Sequence, residues 1–201
     1  MLSNLTQEER VDPRVLRTRQ LLQRAFTDLL NEKSFEAITV QEIADRATVN
    51  RVTFYAHFQD KYALLEDTIR GMIRERVHSQ LPAGSPYTPE NLSRLILTVC
   101  EYLDEMWRHC PPPYGQMEML MEKQIKAELH EILQDWLAKE APGGTLNGPT
   151  PKQAAMVASW AIYGAAVQWL QQERRIPARE YVQQVLPLIL GSLQIAVRGE
   201  E

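Results

Sequence analysis

The segment from Asn50 to Leu65, NRVTFYAHFQDKYALL, places hydrogen-bonding side chains between closely spaced aromatic rings. At about 100° per residue, Phe54 and Phe58 share one face of a helix, and Val52 and Thr53 point away from that face. A helix divided in this way can pack through one side and bind a ligand non-covalently through the other. We expect the two phenylalanines, and Tyr62 in the next helix, to belong to the core.

The outward side of this segment carries groups suited to a DNA duplex. Arg51 can donate to a guanine edge, Thr53 to a base or a phosphate, and Val52 can contact a thymine methyl group. Tyr55 and His57 lie on the two flanks, about 80° from the core direction, where they can donate to phosphate oxygens. The alternative is an ordinary surface helix, with Arg51 a solvated charge and Tyr55 and His57 half-buried surface residues.

Capping signals predict that this helix is the second of a helix-turn-helix. Thr39 and Glu42 have the spacing of a capping box, which opens a short first helix. A turn at Thr48 and Val49 follows, and Asn50 is a good N-cap for the next helix. Two short helices around such a turn are typical of DNA-binding proteins, although any helical bundle contains similar corners.

Further polar residues lie close to this motif. Thr39 is at the N-terminus of the first helix, and Gln41 in its first turn can reach a base, unless it is simply solvated surface. Asp60 is expected to cap a longer helix that runs from Lys61 to about Gln80. The charge of Lys61 and the unpaired N–H groups at that helix start both attract phosphate.

The segment TVQEIADRATVNRVTFYAHFQDKYALLEDTI resembles the DNA-binding domain of the TetR family of bacterial transcriptional regulators. The family often has glycine where this chain has Thr48 and Val52. Thr48 is therefore expected to strain the turn, and Val52 to narrow the range of DNA sequences bound. The DNA-contacting residues that the resemblance implies are Thr39, Gln41, Arg51, Val52, Thr53, Tyr55, His57 and Lys61.

The rest of the sequence also shows helical periodicity, at 13–33, 89–110, 114–140, 151–173 and 178–198. The predicted fold is all-α with about nine helices and no strands. It consists of an N-terminal helix-turn-helix DNA-binding domain of three helices (1–60), a connecting helix (61–80) and a C-terminal helical bundle (81–201). In the family that this sequence resembles, the C-terminal part forms the dimer and usually encloses an effector pocket.

Aromatic and methionine side chains of the C-terminal part are candidates for that pocket, because such residues often line small-molecule sites. Helically spaced aromatics are also common as plain core, so this assignment is tentative. The candidates are Tyr102, Met106, Trp107, Met117, Met121, Trp136, Trp160 and Tyr163. Five polar residues of the same part are interpreted as the solvated face of a helix rather than as a metal or catalytic group. They are Glu118, Glu122, Glu128, His130 and Glu131.

Two helical segments are candidates for a dimer interface. Alanines in 151–173 recur at spacings that permit a close helix approach, and 178–198, which contains a kinking Pro187, is apolar on nearly all sides. A twofold homodimer with four helices at its interface is therefore expected. The tentative interface residues are Ala154, Ala158, Ala161, Ala165, Leu188 and Leu193.

Composition excludes several other classes of protein. The net charge is -4, but residues 1–80 contain 12 basic and 12 acidic residues, so the deficit lies in 81–201 and does not oppose DNA binding by the first part. The sequence has no long apolar run for a membrane and no secretory signal at its start. Two cysteines, Cys100 and Cys110, fit a reducing cytoplasm, and either is a possible redox sensor.

These features predict a cytoplasmic bacterial transcription regulator, a dimeric repressor that binds a palindromic operator in double-stranded DNA. A small apolar or aromatic effector would release it. The alternative is a ligand-independent adaptor or co-activator that acts through protein contacts. An enzyme is not expected, because the sequence shows no nucleophile–base pair, metal-ligand spacing or phosphate loop, and no cofactor is implied.

Overall fold

The computed structural model describes residues 12–109, 116–140, 149–172 and 175–198. Over these ranges it contains eight α-helices, one 3-10 turn and no strand, which confirms the all-α fold class. The elements are α1 (Pro13–Glu32), the 3-10 turn (Phe35–Ala37), α2 (Val40–Arg46), α3 (Arg51–His57), α4 (Lys61–Gln80), α5 (Pro89–His109), α6 (Gln116–Glu140), α7 (Pro151–Leu170) and α8 (Ala178–Arg198). The 3-10 turn is the one element that the periodicity did not predict.

The helices form two compact units, Met1–Thr68 and Ile69–Glu201. In the N-terminal unit, α1, α2 and α3 pack against one another around Phe26, Ile43 and Phe54, which are fully buried. The division between the units falls inside α4, so this helix contributes residues to both. The connecting role of 61–80 stays a prediction.

Each α-helix of the N-terminal unit begins at a side-chain cap, and the caps of α2, α3 and α4 are the ones that the sequence predicts. The side chains of Asp12, Thr39, Asn50 and Asp60 accept hydrogen bonds from main-chain N–H groups at the starts of α1, α2, α3 and α4. Such caps satisfy N–H groups that have no partner inside the helix. They fix the N-termini of α2 and α3, which have only seven residues each.

The turn between α2 and α3 contains a residue in the left-handed region. Thr48 has a φ of 58°, a conformation that costs a β-branched residue free energy. The Val49 N–H donates to the Ala44 carbonyl at 2.9 Å, and the Thr48 N–H donates to the Asp45 carbonyl at 3.1 Å. This pair of bonds is a Schellman motif, which usually has glycine at the left-handed position. The structure thus gives a physical reason for the strain expected at Thr48.

The C-terminal unit is built around α7, which packs against α5, α6 and α8, while α8 also contacts α5. Leu92, Ile96, Ile125 and Ile162 are completely buried in its core. Pro187 lies inside α8. None of the helices in the described part of the chain has the length and apolarity that a bilayer crossing requires.

Two side chains lie in surroundings other than those expected. Tyr62 is expected in the core but is 40% exposed, and its ring forms a T-shaped contact with the buried Phe35, with ring centres 5.1 Å apart. Glu128 was assigned to a solvated face but is only 4% exposed. Burial of its charge is possible because Arg74 of α4 donates to both carboxylate oxygens, at 3.0 and 3.1 Å.

Candidate nucleic-acid interface

Helix α3 presents one face to the core of the N-terminal unit and the other to solvent. Phe54 and Phe58 are buried, whereas Val52 is 78% exposed, as the helical arithmetic predicts. The Arg19 guanidinium lies 4.4 Å from the centre of the Phe58 ring and forms an ion pair with Asp67 at 2.7 Å. Arg19 therefore helps to position α3. Sequence reasoning did not identify it, because its partners lie far away along the chain.

Arg51 and Tyr55 form a pair on the solvent side of α3. The Arg51 Nη2 donates to the Tyr55 hydroxyl at 3.3 Å, and the guanidinium lies 5.8 Å from the centre of the ring. Both side chains are exposed. Since the Tyr55 oxygen accepts this bond, its own proton is left for an outside acceptor such as a phosphate oxygen.

Thr53 and His57 are half-buried on the same helix. The Thr53 hydroxyl donates to the Asn50 Oδ1 at 2.9 Å, so its proton is engaged in the helix cap. The His57 carbonyl accepts a bond from Arg19 at 3.3 Å. Within the described part of the chain, no group hydrogen-bonds to the imidazole nitrogens of His57, which are available to a ligand.

At the start of α2, Thr39 and Gln41 are both exposed. The Thr39 hydroxyl donates to a Glu42 carboxylate oxygen at 2.9 Å, and the Gln41 Nε2 donates to the Asp45 Oδ1 at 2.7 Å. Lys33 forms an ion pair with Glu42, and together with the bonds from Thr39 this lowers the pKa of Glu42 to about 2. The side chains at the start of α2 are thus joined to one another by hydrogen bonds. The amide oxygen of Gln41 remains available to accept a hydrogen bond from a base edge.

Lys61 differs from the other predicted contacts. Its ammonium donates to the main-chain carbonyls of Phe35, Glu36 and Ile38, at 2.9, 3.1 and 2.9 Å. All eight predicted DNA-contacting residues lie within the N-terminal unit and are exposed or half-buried. Lys61 is the one among them whose side-chain donors are all used by main-chain carbonyls of the protein.

The predicted effector residues divide among several places in the C-terminal unit. Met106, Trp107, Met121 and Tyr163 line one cavity of about 30 Å³, in which burial raises the pKa of Tyr163 to about 12. A volume of this size holds no more than one or two water molecules. The remaining lining residues are Leu103, Glu118, Val167 and Leu170.

The other predicted pocket residues lie elsewhere. Trp136 borders a different and more open groove of about 310 Å³, together with Arg74 and His78. Trp160 is 62% exposed, with the Lys126 ammonium 3.6 Å from its ring centre. Tyr102 is buried, and among the described residues its hydroxyl has no hydrogen-bond partner. The side chain of Met117 lies outside the described residues.

The predicted interface residues also differ in accessibility. Ala154, Ala158 and Leu193 are buried inside the C-terminal unit, so their side chains face neighbouring helices of the same chain. Ala161 and Leu188 are exposed, and Ala165 is half-buried. Two exposed apolar residues of α7 were missed by the alanine spacing, namely Met156 and Val157.

The described residues give little support for metal or thiol chemistry. Over these ranges no group of three or more histidine, cysteine, aspartate or glutamate side chains is placed to hold a metal ion. Cys100 is buried, and desolvation raises the pKa of its thiol to about 12. Since the thiolate is the reactive form, Cys100 lacks the character of a redox sensor. Cys110 lies outside the described residues.

Comparison with known proteins gives this interface a family context. A family model described as bacterial regulatory proteins of the tetR family matches residues 24–68. The uncharacterized HTH-type transcriptional regulator YxbF of Bacillus subtilis is 39% identical over 80 residues, which cover 39% of this chain and 21% of that protein. The tetracycline repressor protein class G of Vibrio anguillarum is 40% identical over 58 residues, 29% of this chain and 28% of that repressor.

The match to these curated relatives spans less than a third of their length. The likeness of the whole chain is structural. The crystal structure of RolR in complex with the ligand resorcinol superposes with a TM-score of 0.56 and 15% identity, over 92% of this chain and 95% of that chain. At this identity the superposition shows a common fold.

Proposed function

Since this chain belongs to the TetR family of bacterial regulatory proteins through its N-terminal domain, we propose that it is a sequence-specific DNA-binding transcriptional regulator. The observation that carries the proposal is the two-sided α3, in which Phe54 is buried while Arg51, Val52 and Tyr55 are exposed. A helix of this kind can enter the major groove with its outer face while the core holds it in place.

The proposed contacts fall into two classes. Arg51, Val52 and Thr53 read base edges in the major groove, with help from Gln41 of α2. Tyr55 and His57 donate to phosphate oxygens on either side, and so position the helix without reading sequence. Thr39 remains a candidate at the edge of this surface, where its hydroxyl can accept but already donates to Glu42.

Binding to a duplex selected from a random library tests this proposal. Arg51→Ala should weaken binding by about 1–3 kcal/mol and relax specificity at one base pair. Tyr55→Phe removes one hydroxyl and should weaken binding to all sequences by about 1 kcal/mol. Arg24→Ala, an exposed arginine of α1 outside the proposed contacts, serves as the control and should bind as the wild type does. If no duplex is selected at low salt, the regulator proposal fails and an adaptor that acts through protein contacts is favoured.

We also propose that the regulator is a homodimer that binds a palindromic operator. Met156, Val157 and Trp160 are 49, 53 and 62% exposed on α7, and Leu188 is 75% exposed on α8. Exposed apolar patches of this kind mark interaction sites, and α7 and α8 pack against each other, so the patches can form a four-helix interface with a second copy.

Sedimentation at micromolar concentration tests the dimer. Leu188→Glu should shift the protein from dimer to monomer, because a charge would be buried at the interface. Met119→Glu is the matched control, since Met119 of α6 is 65% exposed but lies outside the proposed interface. A wild-type protein that sediments as a monomer would refute the dimer.

The proposed effector is a small apolar or aromatic molecule that enlarges the cavity around Met121. RolR, which shares this fold, was solved in complex with the ligand resorcinol, and this supports a small aromatic effector for the present chain. Small-molecule pockets usually have volumes of about 300–1,000 Å³, so a cavity of about 30 Å³ must open to admit an effector. Such opening would move α6 and favour one arrangement of the regulator over another.

Helix α6 links this cavity to α4. Met121 lines the cavity, while Gln124 and Glu128, on the same helix, accept hydrogen bonds from Arg70 and Arg74 of α4. Displacement of α6 would therefore disturb the contacts that hold α4, and α4 continues along the chain into the N-terminal unit. We propose that effector binding weakens the affinity for DNA by this route, which makes the protein a repressor released by its ligand.

A thermal-shift screen of small aromatic compounds tests the effector site. Compounds that stabilise the wild type should fail to stabilise Met121→Trp, in which the new indole fills the cavity. Ile132→Trp, which fills the larger groove beside Trp136, should leave their effect unchanged. The opposite pattern would place the effector in the groove instead.

A further inference from the structure

The side chain of Lys61 ends in a cage of main-chain carbonyls. The three ammonium protons have three acceptors, the carbonyl oxygens of Phe35, Glu36 and Ile38, at 2.9, 3.1 and 2.9 Å. The nitrogen also lies 4.6 Å from the centre of the Phe35 ring, within the range of a cation–π contact. The cation is thus fully coordinated by the protein itself.

These carbonyls belong to the segment that leads into α2. The 3-10 turn Phe35–Ala37 is followed by Ile38 and then by Thr39, the N-cap of α2. The Phe35 carbonyl also accepts a bond from the Ile38 N–H at 3.2 Å, and the lysine adds a charged donor to it and to the Glu36 and Ile38 carbonyls. The contacts join residues 23 to 26 positions apart in the sequence, so they fix the start of α2 against the first turn of α4.

We infer that Lys61 is a positioning residue of the helix-turn-helix, which holds the start of α2 in place, and that its ammonium does not bind a phosphate. This inference rests on the proposed DNA-binding function and changes the role of one residue in it. To reach a phosphate, the ammonium would have to exchange three charge-assisted hydrogen bonds for one or two and release the turn before α2.

Arg51 provides the contrast. It is exposed, and the one hydrogen bond that it forms within the described ranges goes to another exposed side chain, the Tyr55 hydroxyl. It can turn toward DNA without loosening any part of the fold. Arg51 and Lys61 therefore carry the same charge at the two ends of the α3 region but serve different purposes.

The salt dependence of duplex affinity separates a phosphate ligand from a positioning residue. Each phosphate neutralised by a cation contributes about 0.9 to the slope of log K against log [salt]. Lys61→Met should lower the affinity by the same factor at every salt concentration and leave the slope as in the wild type. Arg51→Met removes the same charge from a proposed base-reading residue, so it should relax sequence specificity, which Lys61→Met should leave unchanged.

Two further measurements test the role of Lys61 by means other than the salt dependence of DNA affinity. In the free protein, the amide hydrogens of α2 should exchange with solvent faster in Lys61→Met than in the wild type. This measurement needs no bound DNA. Lys61→Arg keeps the charge, but its planar guanidinium cannot direct three protons at these carbonyls, so it should resemble Lys61→Met. The inference is overturned if Lys61→Met loses about 0.9 of the slope, if its α2 exchange is unchanged, or if Lys61→Arg binds as the wild type does.

Discussion

Two regions of this chain, the α2–α3 motif of the N-terminal unit and the contact between α4 and α6 in the C-terminal unit, rely on different kinds of polar contact. In the N-terminal unit, many of the polar contacts that define α2 and α3 join residues three or four positions apart, such as Thr39 with Glu42 and Asn50 with Thr53. In the C-terminal unit, Arg74 and Glu128 lie 54 positions apart and join α4 to α6. Local contacts fix where a short helix begins, whereas distant contacts fix which face of a long helix is buried.

The largest effect expected from this difference concerns the pair between α4 and α6. Arg74→Ala leaves the carboxylate of Glu128, which is 4% exposed, without its main partner and should lower the free energy of unfolding by about 2 kcal/mol. Urea unfolding followed by tryptophan fluorescence measures this, since all four tryptophans lie in the C-terminal unit.

Two variants make this measurement decisive. Arg76→Ala removes a half-exposed pair between the same α4 and Glu105 of α5, and should cost less than about 1 kcal/mol. Adding Glu128→Leu to Arg74→Ala removes the buried charge and should recover most of the loss. A loss for Arg74→Ala as small as that for Arg76→Ala would show that the distant pair does not organise the C-terminal unit.

The same difference explains how much of the molecule could be predicted. The helix starts, the caps at Thr39 and Asn50 and the outward face of Val52 follow from signals within four residues. Glu128, by contrast, has the periodicity of a surface residue, and its burial depends on Arg74 of another helix. The alanine spacing of α7 likewise predicted a close helix contact. It did not show that Ala154 and Ala158 contact helices of the same chain rather than a second copy, because this depends on how α7 packs in the folded unit.

Lys61 shows the limit of a resemblance. The motif placed this residue correctly at the start of α4, but its side chain turns to carbonyls of the 3-10 turn, an element without a periodic signal. The candidate pocket shows a similar limit, because four of its eight predicted members share a cavity while Trp160 lies at the surface. Residue type and helical spacing identify candidates, and side-chain direction in the folded chain decides among them.

A moderate effect is expected at the turn between α2 and α3. Thr48→Gly removes the cost of a Cβ atom at a φ of 58° and should raise the free energy of unfolding of the N-terminal unit by about 0.5–1 kcal/mol. Protection of the Ile43 and Ala44 amides against hydrogen exchange measures it. Thr48→Ala is the control, since it keeps the Cβ atom and should give little or no gain. Equal gains in both variants would assign the effect to the threonine side chain rather than to the backbone.

The smallest effect concerns the exposed cap of α2, where the contacts are most local. Lys33 and Thr39 lower the pKa of Glu42 from an ordinary value of 4.5 to about 2. Because the folded pKa is the lower one, the stabilisation is complete above about pH 4.5 and is lost as the pH falls toward 2. Glu42→Gln should therefore be less stable than the wild type at pH 7, with the difference disappearing by about pH 2. An NMR titration of the Glu42 carboxyl carbon measures the pKa directly, and a midpoint near 4.5 would show that this local network does not secure the start of α2 in solution.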